Sequence, residues 1–166
     1  MNYLASDFRI RQAVKADELV IGALINGIQR NEFGLSITLA DQPDLSDIDD
    51  VYIRPGGTFI VSESLDGEIV GTIALLKFRP DSGCIRKFFV SKNWRGPTGI
   101  AMPLLNSLFD FARANQINQL TLGTTSVMDA AHQFYRKNGF AEIQESELPP
   151  GFPRIVIDNK FFRRQL

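Results

Sequence analysis

The stretch Val90-Ser91-Lys92-Asn93-Trp94-Arg95-Gly96-Pro97-Thr98-Gly99-Ile100-Ala101 leaves an apolar strand, turns through a loop with two glycines and enters a helix. A strand-to-helix turn of this kind exposes consecutive backbone N–H groups that have no acceptor inside the helix. They converge with the positive end of the helix dipole, which makes an anion site suited to phosphate. Gly96 and Gly99 let an anion approach the backbone closely, and Lys92 and Arg95 add charge nearby. The loop is not a P-loop, because no Gly-Lys-Ser/Thr follows. It is not a dinucleotide fingerprint either, because Gly-x-x-Gly-x-Ala lacks the first Gly-x-Gly turn. A plain strand-to-helix turn is the competing reading of the same residues.

Working upstream, residues 84–90 read as a strand that follows the turn Pro80-Asp81-Ser82-Gly83. Residues 58–65 and 68–76 are strand-like runs joined by Asp66-Gly67, a hairpin signal in which both turn residues need positive φ. Residues 8–14 alternate as a strand, and Asp17 precedes an apolar segment over 19–28 that predicts a helix ended near Gly34. Residues 44–52 are a short acidic helix candidate, broken by Pro55-Gly56-Gly57.

Downstream, Ile100, Leu104, Leu105, Leu108, Phe111 and Ala112 form one helical stripe. Residues 120–122 are a short strand core. Ser126 with Asp129 three places on has capping-box spacing for a further helix, which stops at Asn138-Gly139. Strands are expected near 140–143 and 154–158, separated by Leu148-Pro149-Pro150-Gly151-Phe152-Pro153. The order β, α, α, β, β, β, α, β, α, β, β predicts an α/β fold, a mixed sheet with helices on both faces, in a single domain over residues 1–166.

Two blocks in this order resemble the GNAT superfamily of acyl-CoA-dependent N-acetyltransferases. The family's Arg/Gln-x-x-Gly-x-Gly/Ala is matched by Gly96-Pro97-Thr98-Gly99-Ile100-Ala101, with Arg95 one place upstream of the usual basic position. Arg86-Lys87-Phe88-Phe89-Val90 looks like the family's strand ending in Val. Ala131-His132-Gln133-Phe134-Tyr135-Arg136-Lys137-Asn138-Gly139-Phe140 looks like its Ala-x-x-Phe-Tyr-x-x-x-Gly-Phe. The resemblance covers nearly the whole chain. It implies a mostly antiparallel sheet of six to seven strands with about four helices, and strands four and five splayed to admit CoA.

Carried over residue by residue, the resemblance implies that backbone groups of Phe88, Phe89 and Val90 pair with the pantetheine arm like an added strand. A bulge in that strand would leave room for the arm. Arg95, Gly96, Pro97, Thr98, Gly99, Ile100 and Ala101 would hold the diphosphate, and Met128 and Phe134 would line the arm. Tyr135 would stand beside the thioester sulfur as proton donor to the leaving thiolate. The reaction implied is direct attack by a primary amine on acetyl-CoA, with acetyl-CoA as cosubstrate and no metal. Many relatives carry a carboxylate base on the fourth strand, and Cys84-Ile85-Arg86-Lys87 has none. Glu32 is the first substitute, with Asp49, Asp50 and Glu63 behind it. Met128 departs from the family's asparagine, and Pro103 removes a helical N–H near the phosphate end.

Composition bounds these readings. The chain has 166 residues, 44% hydrophobic and 22% charged, as in a globular fold. One cysteine, Cys84, and one histidine, His132, exclude a disulfide framework and a His/Cys metal cluster. Cys84 reads as a small buried hydrophobe, His132 as a solvated residue, and Trp94 as a shield for the sheet. The start of the chain shows no leader pattern, and no apolar run is long enough to span a bilayer, so a cytoplasmic protein without membrane contact is expected. Net charge is −1, against a nucleic-acid partner, but residues 1–83 carry −6 and residues 84–166 carry +5. The acidic half points to an amine-bearing acceptor, with a small molecule favoured over a peptide. The Pro-rich segment 148–153 reads either as a wall of the acceptor pocket or dimer contact, or as a simple hairpin connection. A monomer or homodimer is expected, and a non-catalytic acyl-CoA-binding or regulatory module is the rival function.

Overall fold

In a computed structural model, described at residue 4 and residues 6–166, a seven-stranded sheet runs in the order β1-β2-β3-β4-β5-β7-β6. The strands are β1 (Phe8–Gln12), β2 (Thr58–Ser64), β3 (Ile69–Arg79), β4 (Ser82–Val90), β5 (Gln119–Thr124), β6 (Ala141–Ile143) and β7 (Lys160–Gln165). Every neighbouring pair is antiparallel except β4 and β5. Three α-helices flank it: α1 (Glu18–Gly27), α2 (Ala101–Ala114) and α3 (Asp129–Lys137). Part of the chain's start, read above for a leader, lies outside the described residues. Among the described residues no helix is long and apolar enough to cross a membrane.

The central strands alternate between two buried faces. Ile60, Ile73 and Leu75 join a core with Leu104, Leu105 and Leu108 of α2, while Phe59, Val61 and Ala74 join a second core with Ile21 and Ile25 of α1. Burial on both faces explains why β2 and β3 read as nearly continuous apolar runs. The β2–β3 hairpin turns as expected, but only Gly67 takes positive φ, at +84°. The Gly67 amide donates to Ser64, a type I turn closed by a left-handed glycine rather than a turn with two left-handed residues.

The acidic helix expected over 44–52 is instead a 3₁₀ turn (Pro43–Ser46) and a π turn (Asp49–Ile53). Its buried face survives: Leu45, Ile48 and Tyr52 all enter the α1 core. The last strand also differs from expectation. Residues 154–158 form no strand, because β5 ends at Thr124 opposite Lys160 and the chain before Lys160 has run past the sheet. Ser126 does not cap α3, which starts at Asp129 behind Met128 with no side-chain cap.

Two deviations in this sheet position the site. β4 and β5 pair only through Ser82, Gly83 and Cys84 against Gln119, Leu120 and Thr121, and then diverge. β4 also carries a bulge: Thr72 opposes Phe89 and Ala74 opposes Arg86, so β4 holds one residue more than β3 across the same span. Lys87 sits there with φ +52°, and the Thr72 hydroxyl donates to its carbonyl at 2.6 Å.

Candidate active site

The wedge between β4 and β5 opens on two cavities. One, of about 560 Å³, is lined by Phe88, Phe89, Val90, Arg95, Gly96, Pro97, Ala101, Met128, Phe134 and Tyr135 among others. Ten of the residues expected to bind cofactor therefore come together on one surface. The second, of about 520 Å³, lies across the bulge, and Phe88, Phe89, Met128 and Tyr135 line both.

The loop before α2 is built by its glycines. Gly96 has φ +105°, a conformation that L side chains rarely adopt. At Gly99 a Cβ would stand 2.3 Å from the Trp94 carbonyl oxygen, so only glycine fits. Gly99 and Ile100 are buried, and their amides donate to Gly96 and Trp94 within the loop. They shape the cradle from beneath, which leaves Gly96 and the first turn of α2 as its amide face. Pro97 lines the cleft without an N–H, and Thr98 stands at the exposed tip. Pro103 falls in the first turn of α2, where the missing N–H removes no intrahelical bond. Trp94 packs edge-on to Phe8 at 6.4 Å, a shield for the sheet.

Arg95 is fixed from two sides. Its Nε donates to the Val90 carbonyl at 2.7 Å, and its Nη1 pairs with Glu32 at 2.7 Å. Glu32 thus lies at the loop before α2 and lines neither cavity, which removes the geometric basis for its expected role as base. Asp49 and Asp50 pair with Arg54, and Glu63 pairs with Arg9 and Arg11; none of the three lines the second cavity.

Tyr135 is buried among Phe88, Phe134, Phe140 and Phe162, with ring centroids between 5.6 and 6.3 Å. Burial, with the Asp158 charge adding to it, raises its phenol above the ordinary tyrosine value. It therefore stays protonated at neutral pH and has a proton to donate. His132, one turn earlier on α3, is not solvated: it is 2% exposed, contacts the Thr125 carbonyl through Nε2 at 3.0 Å and packs on Phe162. Burial lowers its pKa, so it is held neutral.

The second cavity holds the residues that the sequence did not single out. In a regular strand Arg86 and Lys87 would face opposite sides of the sheet. The bulge turns both toward this cavity. Lys87, with a side chain 7% exposed, donates to Gln42 at 2.6 Å and lies 3.4 Å from Asp44. Asp44 in turn accepts from the Tyr52 hydroxyl at 2.6 Å. Burial depresses Lys87, and burial together with Asp44 raises the Tyr52 phenol. Arg86 donates through Nη2 to the Pro153 carbonyl, and its Nε is buried with no partner among the described residues. Ile155, Ile157 and Asp158 complete the wall, so the segment after the prolines borders the pocket. Cys84 lies at its base, and burial pushes the thiol up to about 12, where it is no nucleophile. The available signal was two adjacent cations within an apolar strand, an arrangement that a half-buried strand tolerates only around a ligand or a counter-charge.

The comparisons with known proteins agree with this geometry. A family model described as the acetyltransferase (GNAT) family matches residues 26–140. The N-acetylaspartate synthetase of Danio rerio is 33% identical over 123 residues, 72% of this chain and 43% of that protein. The chain thus spans less than half the length of that curated relative. Among solved structures, an acetyltransferase of the GNAT family from Staphylococcus aureus Mu50 superposes with TM-score 0.92 at 33% identity, covering 95% of this chain and 98% of its own. N-acetylglutamate synthase from Neisseria gonorrhoeae, solved with coenzyme A and N-acetyl-glutamate, superposes with TM-score 0.71 at 26% identity over 96% of this chain and 35% of its own.

Proposed function

We propose that this chain, which belongs to the acetyltransferase (GNAT) family, moves the acetyl group of acetyl-CoA to the amine of a small amino acid within a ternary complex. The observation that carries the reading is the pair of cavities that meet at Phe88, Phe89, Met128 and Tyr135, one beside the loop before α2 and one floored by Arg86 and Lys87.

The first cavity suits acetyl-CoA. Backbone groups of Phe88, Phe89 and Val90, freed by the divergence of β5, would pair with the pantetheine arm as an added strand. Gly96 and the amides opening α2 would meet the diphosphate, with Arg95 adding charge. Glu32 would hold Arg95 rather than touch the acceptor. Phe134 and Met128 would pack along the arm, and Tyr135 would donate its phenolic proton toward the departing sulfur.

The second cavity suits a compact acceptor with an anionic group. The acidic half of the sequence pointed to a cationic acceptor, yet this cavity is also lined by the Arg86 guanidinium, whose buried Nε has no partner among the described residues. A carboxylate on the acceptor would satisfy Arg86 by a charge-assisted bond. An amino acid supplies that carboxylate together with the amine. The Danio rerio and Neisseria gonorrhoeae relatives are named for acetylated amino acids, which supports the same choice.

The test is thiol release from acetyl-CoA with the standard amino acids set against putrescine, spermidine and a lysine-containing peptide. Turnover confined to amino acids is the expected result. Turnover of polyamines or peptide alone would refute the acceptor class, and no turnover with any amine would refute catalysis and favour a non-catalytic acyl-CoA-binding module.

A further inference from the structure

We propose that Asp158 takes the ammonium proton of the acceptor, and that position 123 is glycine so that this carboxylate can stand against β5. The inference rests on the acetyl-transfer reading above and supplies the base that β4 lacks.

Three observations carry it. First, Asp158 is 7% exposed and lines the acceptor cavity, across from Arg86 and Lys87 on β4 and beside Tyr135 on α3. Second, its place is fixed. The Asp158 amide donates to the Ile155 carbonyl at 3.0 Å, and the next residue, Asn159, donates to Thr124 at the end of β5, also at 3.0 Å. At Gly123 a Cβ would lie 2.3 Å from Asp158 Oδ2 and 2.7 Å from its Cγ, so any side chain there would displace the carboxylate. Third, it is the uncommitted acid of the cavity. Asp44 is engaged by Tyr52 and Lys87, and Asp41 is turned back onto Thr38. Asp47 is an exposed residue. Asp158 accepts one long bond, from the Ile155 amide at 3.4 Å, and has no ion-pair partner among the described residues.

A buried carboxylate with so little compensation favours a cation or a proton beside it. Burial accordingly raises Asp158, against the opposing charges of Arg86, Arg154 and Lys87. Arg154 reaches the site from Asp158's own loop, with Nη2 on the Asp158 carbonyl. A base lifted toward neutrality is better matched to an ammonium than an ordinary carboxylate is.

The proton account closes. The acceptor's N–H bond breaks and its proton passes to the Asp158 carboxylate. The freed lone pair forms the C–N bond at the thioester carbonyl, and the C–S bond then breaks with its electrons on sulfur. The nitrogen's second proton reaches the sulfur by way of Tyr135, which ends as it began. Asp158 returns its proton to water through the cavity mouth.

The experiment is the pH profile of kcat/KM from pH 6 to pH 10 for the unaltered protein, Asp158→Asn and Gly123→Ala, with acetyl-CoA and L-aspartate, or the standard amino acid that turns over fastest. Asp158→Asn should lose roughly a hundredfold near pH 7. That deficit should shrink about tenfold per pH unit as free amine accumulates, because the variant needs an acceptor that has already lost its proton. Gly123→Ala should lose activity in the same pH-dependent way, with the acetyl-CoA Kd unchanged in both variants. A deficit constant across pH would make Asp158 structural and overturn the proposal, as would full activity in Asp158→Asn. Failure of the unaltered protein to acetylate any amine would overturn the acetyl-transfer reading itself, and the proposal with it, before any variant is compared.

Discussion

Replacing Gly99 with alanine tests the loop proposed to hold the cofactor at its tightest point. The new Cβ would stand 2.3 Å from the Trp94 carbonyl oxygen and 2.8 Å from the Arg95 carbonyl carbon. Carbon and oxygen ordinarily approach to about 3.3 Å, so the two backbones must part by roughly 1 Å. Both partners are backbone, so no rotamer change relieves the clash. The Ile100-to-Trp94 hydrogen bond, 3.1 Å long, spans the same contact and would stretch out of range. Its loss costs about 1 kcal/mol of stability. The same displacement carries Gly96 and the opening amides of α2 away from a bound diphosphate. A hydrogen bond to a charged acceptor contributes about 1.5–3 kcal/mol, so losing one should raise the acetyl-CoA Kd roughly 10- to 150-fold. Calorimetric titration measures that Kd, and thermal unfolding measures the stability change. Gly67→Ala is the control. It imposes left-handed strain of about 1–2 kcal/mol at φ +84°, in the hairpin and outside the cavity proposed for acetyl-CoA. It should lower Tm and leave the Kd unchanged. A Gly99→Ala protein whose acetyl-CoA Kd stays within about twofold of the unaltered value would refute the diphosphate assignment.

Arg86→Gln should raise the acceptor KM by about 30-fold or more, the cost of removing one partner from a desolvated charge pair, and leave acetyl-CoA binding intact; weakened acetyl-CoA binding would place Arg86 outside the acceptor site. Tyr135→Phe should lower kcat with little change in acetyl-CoA affinity, and an unchanged kcat with a chemistry-limited acceptor would end its role as donor. Because burial holds the Asp158 carboxyl above its ordinary range, the folded protein keeps that proton where the unfolded chain has lost it. Stability then declines as pH rises from about 4 through the folded value. Asp158→Asn should therefore raise Tm at pH 7, with the gain vanishing below about pH 4; an equal gain at every pH would contradict the sign.

What local chemistry dictates was legible in the residues. Asp66-Gly67, the two glycines before α2, the apolar stripe of α2 and the stop at Asn138-Gly139 each set their element by themselves. What tertiary contacts decide was not. Lys87 adopts a left-handed conformation in mid-strand without glycine, held by the Thr72 hydroxyl fifteen residues away, and no neighbour in sequence signals it. That single backbone departure sends Arg86 and Lys87 into one cavity and so sets two cations among the four aspartates that line it. Residues 154–158 hold three consecutive β-branched residues that suit a strand, but strand formation needs a partner, and β5 has ended. His132 shares the buried face of Tyr135 three residues on, a periodicity that could have placed it in the core. Asp158 and Gly123 lie 35 residues apart, and only the fold shows that one is small because the other is large.

The divergence of β4 from β5 has a consequence for the protein before acetyl-CoA binds. A sheet that opens in its middle carries two strand edges in its interior, and each shows peptide groups able to capture another extended chain. Here the lip of β4 is aromatic at the half-buried Phe88 and Phe89, the composition that invites such capture. Phe134 and Met128 border the opening without closing it. In the proposed binding mode the pantetheine arm would be a guard as well as a reactant. It would complete the ladder as an added strand, so preparations depleted of acetyl-CoA should self-associate through this seam sooner than saturated ones.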